Sequence, residues 1–163
     1  MRVNCGDKLE VWVAEDSPFY RLVVEEALEE IARVTDLQLE LRIFERFSDI
    51  QVALKLAQRG ECECPAAVLS DLHFPDSAPS ELPALFEFFA RYCSDIPLSY
   101  MSCNSDSLMQ AQRWFDQTHA EHRPIRFLRK DTDQTTHMLV KALHAMVFEP
   151  RQQACSTHQT AHH

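Results

Sequence analysis

Long apolar stretches are missing from this sequence. No run approaches the roughly 18 consecutive apolar residues that a membrane-spanning helix requires. The opening segment, MRVNCGDKLEV, also lacks the apolar centre of a secretory signal. We therefore expect a cytoplasmic protein without a membrane segment. A length of 163 residues with 45% hydrophobic content is typical of one globular domain.

Positive charge is also in short supply. The chain has 16 Lys and Arg against 25 Asp and Glu, which gives a formal net charge of −9 at pH 7. Nucleic acids and anionic lipids are bound by clustered Lys and Arg that displace counterions. The charge balance argues against both as partners and favours a protein or a cationic small molecule.

Closely spaced metal-binding thiols are nearly absent. The six cysteines are scattered, and only Cys62 and Cys64 lie close together. No second pair of Cys or His nearby completes the four ligands of a structural zinc site. A chain with an adequate core does not need a disulfide framework, so we expect reduced thiols.

What the sequence does contain is a regular alternation of two patterns. Apolar, β-rich segments occur at 9–14, 37–44, 66–71, 96–101 and 125–128, and amphipathic helical patterns follow at 18–34, 48–59, 80–92, 105–117 and 132–148. The alternation predicts an α/β fold of five βα units, (βα)5, with a parallel sheet covered by helices on both faces.

Local signals mark the ends of several elements. Ser17 followed by Pro18 predicts the start of the first helix, Ser48 is the predicted N-cap of the second, and Gly60 is its predicted C′ glycine. We expect an N-terminal lead-in over 1–8 and one domain over 9–148. A flexible C-terminal tail is expected over 149–163, because apolar periodicity ends there.

The central strand ends abruptly at a carboxylate. In AAVLSDLHFP, residues 66–75, an apolar run suited to a strand buried on both faces stops at Asp71. Ligands of open parallel sheets bind outside the carboxyl ends of the strands. Asp71 is thus a candidate site residue, although a lone aspartate at this place more often serves as a helix cap.

Other predicted strands also end at residues with chemical potential. Glu15 and Asp16 follow the first strand, and Ser102 and Lys130 follow the fourth and fifth. Two carboxylates 4 Å apart repel by about 4 kcal/mol at an effective dielectric constant of about 20, so converging carboxylates require a cation. Lys130 or a divalent ion would supply it. Carboxylates, a backbone carbonyl and water suit Mg²⁺, and an aspartate can itself accept a phosphoryl group.

Four segments together resemble a known family. AEDSPFYR at 14–21, VLSDLHFP at 68–75, IPLSYMSC at 96–103 and FLRKD at 127–131 occur in the order, and at the strand ends, of the receiver domain of bacterial two-component response regulators. The resemblance covers about residues 8–148. It implies a flavodoxin-like strand order, 2-1-3-4-5, with the second strand at an edge.

The resemblance also implies roles for individual residues. Asp71 would be the phosphoacceptor. A Mg²⁺ cofactor would be bound by Asp16, by Asp71 and by the backbone carbonyl of His73, with Glu15 acting through water. Ser102 and Lys130 would bind the phosphoryl group, and Phe127 would turn inward after phosphorylation. The side chain of His73 would either tune the phosphoryl lifetime or face solvent.

The function implied is a stand-alone phosphorylation switch rather than an enzyme, with slow autodephosphorylation at most. A histidine kinase or phosphotransfer protein would supply the phosphoryl group. A downstream protein would bind the face formed by the fourth helix, fifth strand and fifth helix. Neither nucleic acid nor membrane is expected as a partner, and the sequence leaves homodimer formation open.

Three departures from the family pattern keep an alternative in view. The glycine usual after the D-x-x-x-P turn is absent and Pro79 stands near its position, Asp131 replaces the proline usual after the lysine, and 119–126 contains extra length. The altered loop motivates a receiver-like adaptor that works without phosphorylation. A phosphohydrolase is disfavoured, because Asp71-Leu72-His73 replaces the D-x-D pattern expected of one.

Overall fold

A computed structural model of the chain describes residues 8–35, 37–118, 125–131 and 135–159, and their side chains as far as residue 147. Strands and helices alternate as predicted. The elements are β1 (Leu9–Ala14), α1 (Pro18–Val34), β2 (Leu39–Phe44), α2 (Phe47–Gln58), β3 (Ala67–Asp71), α3 (Leu82–Tyr92), β4 (Leu98–Ser102), α4 (Ser105–Thr118), β5 (Arg126–Arg129) and α5 (Thr135–Gln159), with a short 3₁₀ helix (Pro79–Glu81) before α3.

The five strands form one parallel sheet in the order β2-β1-β3-β4-β5. The predicted flavodoxin-like order is therefore confirmed, and β2 is an edge strand whose side chains are mostly half-buried or exposed. The strand order reverses between β1 and β3. Because Ala14 pairs with Ser70 across that reversal, the next residue of each chain segment, Glu15 and Asp71, reaches the same rim.

Two hydrophobic clusters cover the two faces of the sheet. Alternate residues of β1 enter opposite clusters: Trp12 lies with α2, α3 and α4, whereas Val11 and Val13 lie with α1 and α5. All three side chains are fully buried. Burying a large apolar side chain contributes about 1.5–3 kcal/mol. Because successive side chains of β1 are buried on opposite faces, the strand is anchored on both sides, and the residues at its carboxyl end are held in place.

Helix α2 confirms one predicted end and corrects the other. Gly60 has φ 73°, and the amides of Gly60 and Glu61 donate to the carbonyls of Ala57 and Leu56, which is a Schellman motif. The helix begins at Phe47, however, so Ser48 lies within its first turn and does not cap it.

The acceptor for the first turn of α2 comes from elsewhere in the chain. Asp76, in the loop after β3, accepts hydrogen bonds from the amides of Phe47 and Ser48, each 3.0 Å long. A tertiary contact thus replaces the local serine cap. The loop after β3, which contains Asp76, is therefore hydrogen-bonded to the start of α2.

Replacing Asp76 with alanine is expected to lower the free energy of unfolding by about 1 kcal/mol at pH 7, the usual loss for a helix cap. Partial burial raises the pKa of Asp76, but the amides of Ser48 and Phe47 outweigh it and hold that pKa below the ordinary 3.8. The stabilisation is therefore present above pH 3.8 and is lost as the pH falls through the lowered folded value.

Urea denaturation at pH 7 and at about pH 2 measures this difference. Asp116→Ala, which changes an exposed aspartate of α4, is the matched control and should leave stability nearly unchanged. Equal stability of Asp76→Ala and the native chain at pH 7 would contradict the capping role.

The last helix is longer than the sequence pattern indicates. Helix α5 continues to Gln159 and does not end at Phe148, so the predicted flexible tail is helical over 149–159. The prediction relied on apolar periodicity, which ends near residue 148. Glu149 and residues 151–154 have high intrinsic helix propensity and continue the helix past Pro150 without that signal.

None of the helices in the described ranges is long and apolar enough to cross a bilayer. The extra length predicted around 119–126 falls largely at 119–124, which lie outside the described residues.

Candidate functional site

The carboxyl edge of the sheet brings together three residues that the sequence placed at separate strand ends. Glu15 follows β1, Asp71 ends β3 and Lys130 follows β5. The Lys130 ammonium donates to Glu15 Oε2 at 2.7 Å and to Asp71 Oδ2 at 2.6 Å. One lysine therefore bridges two carboxylates from different strands.

This three-residue cluster is almost inaccessible to water. Glu15 is fully buried, Asp71 is 5% exposed and Lys130 is 7% exposed. Burial and then the Asp71 charge raise the pKa of Glu15, and hydrogen bonding and charge attraction from Lys130 offset them only in part. The cluster contains two carboxylates and one ammonium, so ionised it has one negative charge in excess.

The same imbalance keeps the lysine protonated. Burial alone would lower the pKa of Lys130, but the charges and hydrogen bonds of Asp71 and Glu15 outweigh burial and raise it. The ammonium is stabilised by two partners at once, whereas each carboxylate has one cation to share. The excess negative charge favours the arrival of a further cation.

The second oxygen of Asp71 is held by its own backbone. Asp71 Oδ1 accepts hydrogen bonds from the amides of Leu72 at 2.6 Å and His73 at 3.3 Å. With Oδ2 bonded to Lys130, both oxygens have partners and the carboxylate has a defined orientation. A preoriented carboxylate is a requirement for a nucleophile.

A group of acidic side chains beside the lysine fits a divalent cation. Ligand oxygens of Glu15, Asp16 and Asp71 all lie within 4.8 Å of one another. Asp16, unlike the other two, is exposed. Carboxylate oxygens are the ligands that Mg²⁺ and similar hard cations prefer, and Mg²⁺ retains several waters that need an open side. The residues present thus fit a divalent ion, and the exposed Asp16 leaves one side of the site open to solvent.

Ser102 ends β4 next to this cluster and is 1% exposed. Its hydroxyl accepts a hydrogen bond from the Asn104 amide at 3.0 Å, and its carbonyl accepts one from the Lys130 amide at 3.1 Å. The predicted phosphoryl-binding pair, Ser102 and Lys130, is therefore joined through the backbone.

Phe127 lies one layer away, in the aromatic core. It is half-buried, and its ring stacks on Tyr100 with centroids 6.1 Å apart and an interplanar angle of 28°. It also contacts Phe115 of α4 at 6.4 Å. The Tyr100 hydroxyl is buried without a hydrogen-bond partner among the described residues. A movement of Phe127 would thus change its packing against Phe115 of α4.

His73 is half-buried and does not face solvent freely. Its Nε2 lies 3.0 Å from the Ser107 hydroxyl in the first turn of α4. Asn104 caps that same turn, because its Oδ1 accepts from the amides of Asp106 at 2.9 Å and Ser107 at 3.2 Å. The loop after Asp71 is therefore hydrogen-bonded to the start of α4.

Three residues around the site were not singled out from the sequence: Tyr20, Asp76 and Asn104. Asn104 had a usable signal, since it directly precedes a helical pattern. Asp76 and Tyr20 had none, because each acts on residues brought close only by the fold.

Solved structures similar to this one are response regulators. A receiver domain from Rhodospirillum rubrum matches with a TM-score of 0.61 and 13% identity, over 87% of this chain and 94% of that one. RPA3017, a response regulator in red light signalling of R. palustris, matches with 0.60 and 17%, over 84% and 92%. The Mn²⁺-bound form of the response regulator Rcp1 matches with 0.59 and 16%, over 84% and 92%.

The fold of this chain is therefore that of response regulator receiver domains. No protein-family model and no curated protein sequence matches the chain. At these identities the structural likeness establishes the fold, and the function has to be argued from the site.

Proposed function

We propose that the chain is a receiver that accepts a phosphoryl group on Asp71, with Mg²⁺ as cofactor, and that signals through phosphorylation-dependent protein binding. The observation that carries this proposal is the buried cluster of Glu15, Asp71 and Lys130 at the carboxyl edge of a receiver fold. A mere helix cap would need neither the lysine nor the two neighbouring carboxylates.

The proposed step is a transfer between a nitrogen and an oxygen. A carboxylate oxygen of Asp71 attacks the phosphorus of a phosphohistidine on a histidine kinase or phosphotransfer protein. The new P–O bond forms as the P–N bond breaks, and the imidazole leaves with the electron pair and takes up a proton. The backbone amides of Leu72 and His73 orient the attacking carboxylate during this step.

The charges around Asp71 suit this transfer. Lys130, now bonded to Asp71 Oδ2, would pair with a phosphoryl oxygen after transfer, and the Ser102 hydroxyl would donate to another. Asp16, Asp71 and the backbone carbonyl of His73 would hold Mg²⁺, with Glu15 acting through water. When bound, the ion would neutralise charge on the phosphoryl oxygens.

Phosphorylation would be read through α4 and β5. The phosphoryl group adds about −1.5 to −2 charge, which draws Ser102 and Lys130 inward. Phe127 contacts Tyr100 and Phe115, so its inward turn would alter the surface formed by α4, β5 and α5. We propose that this surface binds a downstream protein, that catalysis does not extend beyond slow autodephosphorylation, and that the protein works in the cytoplasm.

Incubation with a small phosphodonor such as phosphoramidate tests the proposal. We expect Mg²⁺-dependent addition of one phosphoryl group, labile to hydroxylamine as acyl phosphates are, and complete loss of it in Asp71→Asn. Asp95→Asn, an exposed aspartate after α3, is the matched control and should be labelled like the native chain. Label that survives in Asp71→Asn would sink the assignment.

The same reagents separate the switch from the adaptor alternative. Partner binding that is unchanged by Asp71→Ala and by chelation of divalent ions would favour the adaptor. Binding that strengthens with the phosphodonor in the native chain, and does not in Asp71→Asn, would favour the switch.

A further inference from the structure

Tyr20 lies against the site although nothing in the proposed transfer requires it. It belongs to the first turn of α1, four residues after Asp16, and is half-buried. The centroid of that ring is 4.4 Å from the Lys130 ammonium. This is the arrangement of a cation–π contact.

The ring completes the environment of the ammonium. A lysine ammonium has three N–H donors. Two of them are used by Glu15 and Asp71, and the face of the Tyr20 ring lies within contact distance of the same nitrogen. A buried ammonium that lacks a partner on one side is costly, so the ring favours the position in which Lys130 bridges the two carboxylates.

The hydroxyl of the same ring makes a second contact, with the loop after β4. The Tyr20 hydroxyl lies 3.1 Å from the Cys103 thiol, and Cys103 directly follows Ser102 in the loop between β4 and α4. The hydrogen bond to Cys103 chiefly raises the pKa of Tyr20, to about 12. The phenol is therefore neutral at physiological pH.

We infer that Tyr20 is a positioning residue for phosphoryl transfer, whose aromatic ring holds the Lys130 ammonium where it can pass from Asp71 to a phosphoryl oxygen. This inference rests on the proposed function of Asp71. The ring performs the positioning, and the contact between the Tyr20 hydroxyl and Cys103 is not required for it.

Three variants separate the ring from the hydroxyl. Tyr20→Leu removes the ring, Tyr20→Phe keeps the ring without the hydroxyl, and Cys103→Ala removes the partner of the hydroxyl. With phosphoramidate and Mg²⁺, we expect Tyr20→Leu to be labelled about three- to tenfold more slowly than the native chain. Tyr20→Phe and Cys103→Ala should stay within about 1.5-fold of it. Tyr20→Met serves as a second ring-free variant if Tyr20→Leu is poorly folded.

A readout that needs no phosphorylation accompanies the rates. The methylene protons of Lys130 next to the ammonium should be shifted upfield by the ring in the native chain and in Tyr20→Phe, and should lose that shift in Tyr20→Leu. Nuclear magnetic resonance of the unphosphorylated proteins measures it. Urea denaturation of the same variants tests for a merely structural role, which would slow Tyr20→Leu only together with a loss of its fold.

The outcomes distinguish the inference from the function beneath it. If the native chain is labelled and Tyr20→Leu reacts at the native rate, or Tyr20→Phe is as slow as Tyr20→Leu, the inference is wrong and the proposed function stands. If the native chain takes no label, the proposed function fails, and the positioning role fails with it. Loss of both rate and shift in Tyr20→Leu, with rescue of both in Tyr20→Phe, supports the inference.

Discussion

Replacing Lys130 with methionine is expected to lower the free energy of unfolding by about 3–5 kcal/mol at pH 7, the usual loss when one partner of a buried ion pair is removed. The side chain is nearly as long but uncharged. Glu15 and Asp71 would be left buried and without their shared cation. This is a larger change than the removal of any single hydrogen bond at the site.

The pH dependence of the variant has a defined sign. Without Lys130, the buried Glu15 loses the hydrogen bond and the charge that lower its pKa, so that pKa, already raised by burial and by Asp71, rises further. A raised carboxyl pKa stabilises the protonated fold, and this stabilisation is fully present below the ordinary value of 4.5 and is lost as the pH rises through the folded value. The deficit of Lys130→Met should therefore shrink between pH 7 and about pH 5.

In the native chain Lys130 stabilises the fold in its charged form, and this contribution changes only at high pH. The raised pKa of Lys130 means that its stabilisation is complete below the ordinary 10.5 and is lost as the pH rises above that value. Urea denaturation of both proteins at pH 7 and pH 5, with and without Mg²⁺, measures the deficit of Lys130→Met and its change with pH. Added Mg²⁺ should restore part of the stability of the variant, because it supplies the missing positive charge.

Lys141→Met, which changes an exposed lysine of α5, is the matched control and should be nearly as stable as the native chain. A loss below about 1 kcal/mol for Lys130→Met, identical at both pH values, would mean that Lys130 makes only an ordinary surface ion pair. That result would remove the electrostatic basis of the site.

Asp16→Asn is expected to weaken Mg²⁺ binding by at least about tenfold while leaving the stability of the metal-free protein unchanged. Even residues that only orient a metal ligand contribute about 10- to 100-fold to metal affinity, so loss of a direct carboxylate ligand should cost at least as much. Asp16 is exposed, whereas Glu15 is buried against Lys130. The two neighbouring acids therefore have separable roles.

Titration calorimetry with Mg²⁺ and with Mn²⁺ measures the affinity, and urea denaturation measures the stability. Asp95→Asn is the matched control, with expected native values for both. Glu15→Gln should keep or raise the stability at pH 7, since the pKa of Glu15 is raised and its charge is the negative excess of the cluster. Native Mg²⁺ affinity in Asp16→Asn would exclude Asp16 as a direct ligand.

The ends of helices were predicted correctly where they depend on the residues at that position in the chain. The start of α1 at Pro18 and the end of α2 at Gly60 were both predicted correctly. Proline is tolerated in the first turn of a helix, and glycine adopts a positive φ without steric cost, so both signals are local. Ser48 was wrong as a cap because Asp76 supplies the same hydrogen bonds through the fold. The predicted end of α5 at Phe148 was wrong, because the part of the helix beyond it is polar and shows no apolar periodicity.

The sequence by itself determined the (βα)5 architecture and which residues lie at the carboxyl edge of the sheet. An apolar run that stops at a polar residue marks the end of a strand, and parallel strands all end on the same side. Glu15, Asp16, Asp71, Ser102 and Lys130 were therefore placed on one rim before any distance was known.

Only the tertiary structure decided how those residues are paired. Lys130 bonds to Glu15, 115 residues away, and to Asp71, 59 residues away, and no local pattern reports such distances. The ring of Tyr20 over the ammonium and the capping of α2 by Asp76 arise in the same way. Strand ends are set by neighbours in the chain, whereas the charge balance and orientation of the site depend on contacts that exist only once the sheet has formed.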